Sequence, residues 1–325
     1  MKKLLSAMIA IILLCASAAL AEDTAVRYSL TTGMPTDQTS QKLIAVQFDN
    51  DEMARPLTHM TEADIIYEAE ITGEGHTAYT AIYNGTVPEL VEAVGQARIL
   101  HVDIALDWGA TLVHVGGQKL AGSSVYDYIN TIGCLYSRFD GLTDSMFFYR
   151  DTARVAPHNA VCLLGQLADR LPEDAMTARS PLSFSASDYT QKGETAGILR
   201  VRYDVEGGYY PSFQYSPSDG LYYRFYNRAR QEDGSGMRYT CSNVIVMQAD
   251  YTWYDGDAER PIVALTGTNK CDYFIDGRHF TGTWARSEVS AATTYYDDEG
   301  NIVLFQPGKT FVQIIRSADQ LEVVR

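Results

Sequence analysis

The sequence predicts an α+β protein, with an N-terminal α/β domain followed by a C-terminal β-rich domain. Three observations carry this. Residues from about 42 to 171 mix short apolar runs with stretches of helical spacing, the pattern of an α/β layer. From about residue 198 the chain changes to short alternating segments separated by turn signals, as in a series of hairpins. A chain of 325 residues that is 46% hydrophobic can also bury enough core to divide in two.

Residues 1–21 read as a secretory signal: Lys2 and Lys3, an apolar run, then Ala19-Leu20-Ala21 ahead of Glu22. The centre of that run, residues 7–14, is short for a membrane span, and no other segment approaches the length needed, so no transmembrane span is expected in the mature chain. Cys15 invites a lipoprotein reading. Leu14, however, stands where lipoprotein processing favours a small residue, so cleavage after Ala21 is expected ahead of lipid anchoring at Cys15. The expected location is extracytoplasmic, secreted or envelope-associated.

Removing the signal takes the basic count from 26 to 24 against 41 acids, and the formal charge from −15 to −17. Such a balance disfavours nucleic acid and anionic lipid surfaces as partners and makes any arginine cluster conspicuous. Four cysteines remain in an oxidising compartment. Cys241 and Cys271, both in the β-rich half, are expected to form a disulfide. Cys134 with Cys162 is a weaker pair, and free buried cysteines are the alternative.

In the first half, strands are expected at 43–48, 65–67, 79–83 and 111–115, and helices at 88–100 and 161–170, with Pro88 at an N1-like position. This domain spans 28–171. Residues 172–197 are polar and weakly periodic and serve as a linker. The C-terminal domain spans 198–318, with turns at Asp219-Gly220, Asp233-Gly234, Asp276-Gly277 and Glu299-Gly300. Its many tyrosines reflect strand propensity more simply than a sugar-stacking surface.

Residues 150–159 (RDTARVAPHN) form the candidate site, with Arg150, Arg154, His158 and Asn159 around a rigid Ala-Pro. Arginine forks beside an imidazole suit a carboxylate or phosphate. Arg55 and Arg98 could join them. Asp49 and Asn50 close an apolar strand, and Glu68 sits in another, where each acid is either a general base or an arginine's partner. His114 precedes Gly116-Gly117, a glycine turn at a strand end whose amides could face a ligand. The spacings HxxxH and HExxH are absent, as is GxSxG, so neither a metal site nor a serine hydrolase is indicated and no cofactor is implied.

These segments together resemble the YerB-like family. LIAVQFDN (43–50), MARP (53–56), EADIIYE (62–68), QARILHVD (96–103), LVHVGG (112–117) and FYRDTARVAPHN (148–159) carry the likeness in the first half. SNVIVMQ (242–248), FIDG with GTWAR (274–286) and YYDDEGNIVLFQPGKTFVQI (295–314) extend it through the second. The resemblance implies extracytoplasmic bacterial proteins, commonly lipoproteins, with two domains of unknown function. It also implies arginines at two positions where this chain has Ala78 (in GEGHTA, 73–78) and Gly95 (in EAVGQAR, 92–98).

The function expected is binding of an anionic small molecule, an envelope polymer or a protein partner through Asn50, Arg55, Arg98, Gly116, Gly117, Arg150, Arg154, His158 and Asn159. The alternative is an envelope hydrolase or transferase with His158 or His114 as acid/base and Asp49 or Glu68 assisting. A third reading is structural, in which the arginines only hold the protein's own loops.

Overall fold

The computed structural model describes residues 26–39, 41–119, 124–132, 138–172, 176–203, 210–254 and 257–325. The expected signal segment, Cys15 and Cys134 lie outside these residues. Among them strands dominate, accompanied by three α-helices. Eleven strands build one mixed sheet: β1 (Leu43–Asp49), β2 (Ile65–Glu70), β3 (Thr77–Asn84), β4 (Thr111–His114), β5 (Arg138–Asp140), β6 (Glu194–Thr195), β7 (Asn243–Gln248), β8 (Gly267–Ile275), β9 (Arg278–Arg286), β10 (Thr294–Asp297) and β11 (Thr310–Ile315). Their order is β6-β9-β8-β7-β11-β2-β3-β1-β4-β5, with β10 on β9. The two halves share it, because β11 lies parallel to β2 with Val312 opposite Tyr67. Within the first half β1, β4 and β5 are parallel neighbours, as in an α/β unit, while β2, β3 and β1 are antiparallel.

The sheet is buried on both faces, so its strands read as continuous apolar runs. Leu43 and Ala45 of β1 enter one core, and Ile44, Val46 and Phe48 enter the other. The first face is covered by α1 (Ile99–Trp108) and α2 (Val125–Thr131), and by Leu182 and Tyr189 from the connecting segment. A second sheet of six strands covers the opposite face through Leu199, Val201, Phe213 and Tyr222. Beside it lie α3 (Leu164–Arg170) and a three-stranded sheet of Val91–Glu92, Ala160–Cys162 and Phe148–Arg150.

The helix expected at 88–100 is displaced. Residues 91–92 are a strand, Ala93 has a left-handed φ of 57°, and the following residues lend their backbone to neighbours: the Gly95 N–H donates to Gln47 and the Ala97 N–H to Gly116. The helix begins at Ile99, where the His101 ring nitrogen Nδ1 accepts from the Arg98 N–H at 2.9 Å. Nine of its ten residues are buried, so it lacks the polar stripe by which a helix announces itself. Gly109 ends it at φ 62°, where a Cβ would fall 2.0 Å from the Thr177 carbonyl oxygen. Likewise the helix expected at 161–170 divides into the strand Ala160–Cys162 and α3.

The expected Cys241–Cys271 disulfide is not formed. Both are free and buried, with Cys241 in the core on one face of the main sheet and Cys271 in the core on the other. A full layer of backbone separates them, far beyond disulfide reach. Cys162 is also free and buried.

Candidate functional site

At the C-terminal end of β1 opens a cleft of about 250 Å³. Gln47 and Asp49, two apart on the strand and so on one face, line it together with Ala78, the register partner of Asp49. Val94, Gly95, Gln96 and Arg98 form a second wall, and Arg150 and Pro157 a third. The second wall is laced to the sheet: the Asp49 N–H donates to Ala93 at 2.9 Å and the Val115 N–H to Gly95 at 2.9 Å. That approach is close enough that a Cβ on Gly95 would lie 3.0 Å from the Asp49 nitrogen.

Two arginines give the cleft its charge. Arg98 donates from Nη1 to Gln118 at 2.9 Å, and Arg150 from Nη1 to the Pro157 carbonyl at 2.8 Å and to Asn159 Oδ1 at 3.1 Å. Among the described residues neither has a carboxylate at ion-pair distance. Burial lowers the Arg98 pKa to about 10, and the nearby Arg260 guanidinium adds to this, with Asp257 opposing. Arg260 reaches this place on a hairpin from the second half, held by the Gly73 N–H donating to the Glu259 carbonyl at 2.7 Å.

Asp49 also anchors a histidine. Its Oδ2 lies 2.5 Å from His158 Nδ1, and His158 Nε2 is 3.8 Å from Asp51 Oδ1. The ring is partly exposed.

The other expected residues stand elsewhere. Arg154 is engaged by its own protein, donating to the carbonyls of Ala54 at 2.9 Å and Pro56 at 3.0 Å and pairing with Glu92 at 2.9 Å. Asn159 braces the same loop through the Asp151 carbonyl. Arg55 donates to Asn50 and lies 4.4 Å above the Tyr226 ring. Asn50 is buried against Thr77, which donates to Glu68 Oε1 at 2.8 Å, and Glu68 pairs with Arg224. His114 is fully buried and burial lowers its pKa; its Nδ1 lies 2.7 Å from the Gly116 carbonyl. The Gly116 amide donates to Asp140, and a Cβ on Gly117 would fall 2.3 Å from Val125 Cγ1, so this turn is packed and its first amide is engaged.

The cleft thus gathers Asp49, Arg98 and Arg150, with His158 against Asp49, and adds Gln47 and Gln96, which sequence reasoning missed, as it did Arg260, whose charge acts on Arg98. Gln47 had a signal, a lone amide inside the apolar strand LIAVQFD. Arg260 had none, since its place depends on how a distant hairpin folds back. Among the described residues no three His, Cys, Asp or Glu side chains are grouped to hold a metal ion.

Comparison with known proteins agrees with the motifs. Residues 31–177 match the N-terminal domain, and residues 199–312 the C-terminal domain, of the family described as protein of unknown function DUF3048. The chain belongs to this DUF3048, YerB-like family. Over 303 residues it is 26% identical to "Putative lipoprotein YerB" of Bacillus subtilis (strain 168), covering 90% of this chain and 87% of that protein. The crystal structure of YerB protein from Bacillus subtilis superposes with a TM-score of 0.78 at 23% identity, over 92% of this chain and 100% of that one, which shows a shared fold. Within the DUF3048 frame one departure gains meaning. Ala78 and Gly95, where the family resemblance implies arginine, both line the cleft that holds Arg98 and Arg150.

Proposed function

We propose that this is an extracytoplasmic cell-envelope protein that binds a small anionic ligand in the cleft beside β1. The observation that carries the reading is the pair Arg98 and Arg150, both lining the cleft and neither facing a carboxylate at ion-pair distance among the described residues. Burial of the Arg98 guanidinium, with Arg260 adding to the cost and Asp257 opposing it, is a penalty that a bound carboxylate or phosphate relieves. The signal-like residues 1–21 and the lipoprotein name of the Bacillus relative support an envelope location. Intact-mass measurement distinguishes a chain beginning at Glu22 from one lipidated at Cys15.

A thermal-shift panel of phosphate, acetate, citrate, sugar acids and neutral sugars tests the reading. Binding at a hundredfold excess over Kd stabilises by about 2.7 kcal/mol. Anions should raise the melting temperature of the parent, and Arg98→Gln should abolish the rise. Equal shifts in parent and variant would refute the site.

The Asp49–His158 contact favours a second reading, an envelope hydrolase or transferase with His158 Nε2 as acid/base at the cleft rim. On that reading His158→Ala abolishes turnover of a bound ester or glycoside while binding survives.

A further inference from the structure

We propose that the ligand of this cleft is a small carboxylic acid that also carries a hydrogen-bond donor, hydroxyl or ammonium, beside its carboxylate. This rests on the anion-binding reading above and specifies its chemistry. Gln47 is 2% exposed and lines the cleft. Its Nε2 donates to the Phe48 carbonyl at 3.1 Å, and a carbonyl can only accept, which fixes the amide orientation and leaves Oε1 as the free end. That Oε1 has no hydrogen-bond partner among the described residues. The hydroxyl of Thr80, the register partner of Gln47 on β3, is likewise buried without a partner among the described residues.

The cleft therefore presents two unlike demands. Arg98 and Arg150 ask for an acceptor with negative charge, whereas Gln47 Oε1 asks for a donor. A plain carboxylate meets the first demand and leaves Gln47 unpaired. A hydroxy acid or amino acid meets both. Size agrees: at roughly 30 Å³ per water, about 250 Å³ takes the place of about eight waters, at or below the lower edge of ordinary ligand pockets. Among the described residues lining the cleft, Arg98 and Arg150 are the cations, which suits a single carboxylate better than a polyanion.

Calorimetry on the mature chain decides this with three probes: propionate, glucuronate and alanine. We expect glucuronate or alanine to bind at least tenfold more tightly than propionate, with glucuronate preferred if the natural donor is a hydroxyl and alanine if it is an ammonium. Gln47→Leu should bring the preferred ligand down to the level of propionate and leave propionate unchanged. If propionate binds as tightly as the donor-bearing acids in the parent chain, the inference fails and the anion-binding reading stands. If no probe binds, both fail. The comparison among ligands on the parent chain needs no variant, so it holds even if Gln47→Leu does not fold.

Discussion

The Arg224 guanidinium donates to the Glu68 carboxylate at 2.7 Å, and neither side chain reaches solvent. The pair links β2 in the first half to the strand Leu221–Tyr226 in the second, with the rings of Tyr79, Phe213 and Phe311 within 5.8 Å of the Arg224 Cζ. Removing one partner strands a charge in an apolar setting. Arg224→Leu should lower stability by about 3–5 kcal/mol in urea unfolding, and adding Glu68→Leu should recover much of the loss. A single variant as stable as the parent would contradict this account of the pair.

Arg154 behaves as a latch in this structure. Its three acceptors belong to the loop at residues 54–56 and to Glu92, all within the protein. Arg154→Ala should cost about 1.5–3 kcal/mol of stability through lost charge-assisted hydrogen bonds, with anion affinity nearly unchanged. Affinity that collapses while the melting temperature holds would return Arg154 to the ligand.

Asp103 on α1 has its pKa raised to about 6, chiefly by burial; the hydrogen bond from Tyr128 and the Arg286 charge oppose the rise, and Asp107 adds to it. The folded chain therefore binds this proton more tightly than the unfolded chain. Its contribution to stability is present below about pH 4 and is lost as pH rises through about 6. Relative to the parent, Asp103→Asn should gain on the order of 2–3 kcal/mol between pH 4 and pH 7. A stability difference that stays flat across that range would oppose the assignment.

Cys162, Cys241 and Cys271 are buried, and burial pushes each thiol pKa up, that of Cys162 to about 12. All three should resist alkylation in the native protein and react once it is unfolded, without reductant. A Cys241–Cys271 peptide in a non-reducing digest would contradict the placement of these residues on opposite faces of the sheet.

Sequence patterns located the strands whose apolar runs are buried on both faces, such as residues 43–48 and 111–115. They misread 88–98 because Val91, Val94 and Ala97 are buried at helical spacing while their backbone pairs with three neighbouring segments. They were silent on the shared sheet, since nothing in residues 310–315 indicates β2 as a neighbour. Arg98 and Arg150 were legible as charges in an acidic chain. That Arg154 turns inward and Arg260 arrives from the other half are tertiary facts with no local signature.

The central claim is that Arg98 and Arg150 act together on a bound anion. Calorimetric titration of one binding anion into the parent, Arg98→Gln, Arg150→Gln and the double variant tests it most directly. Each single change should weaken binding by about 1.5–3 kcal/mol with melting temperatures close to the parent's, and the double variant should show no measurable heat. Binding by the double variant at parental affinity would contradict the account.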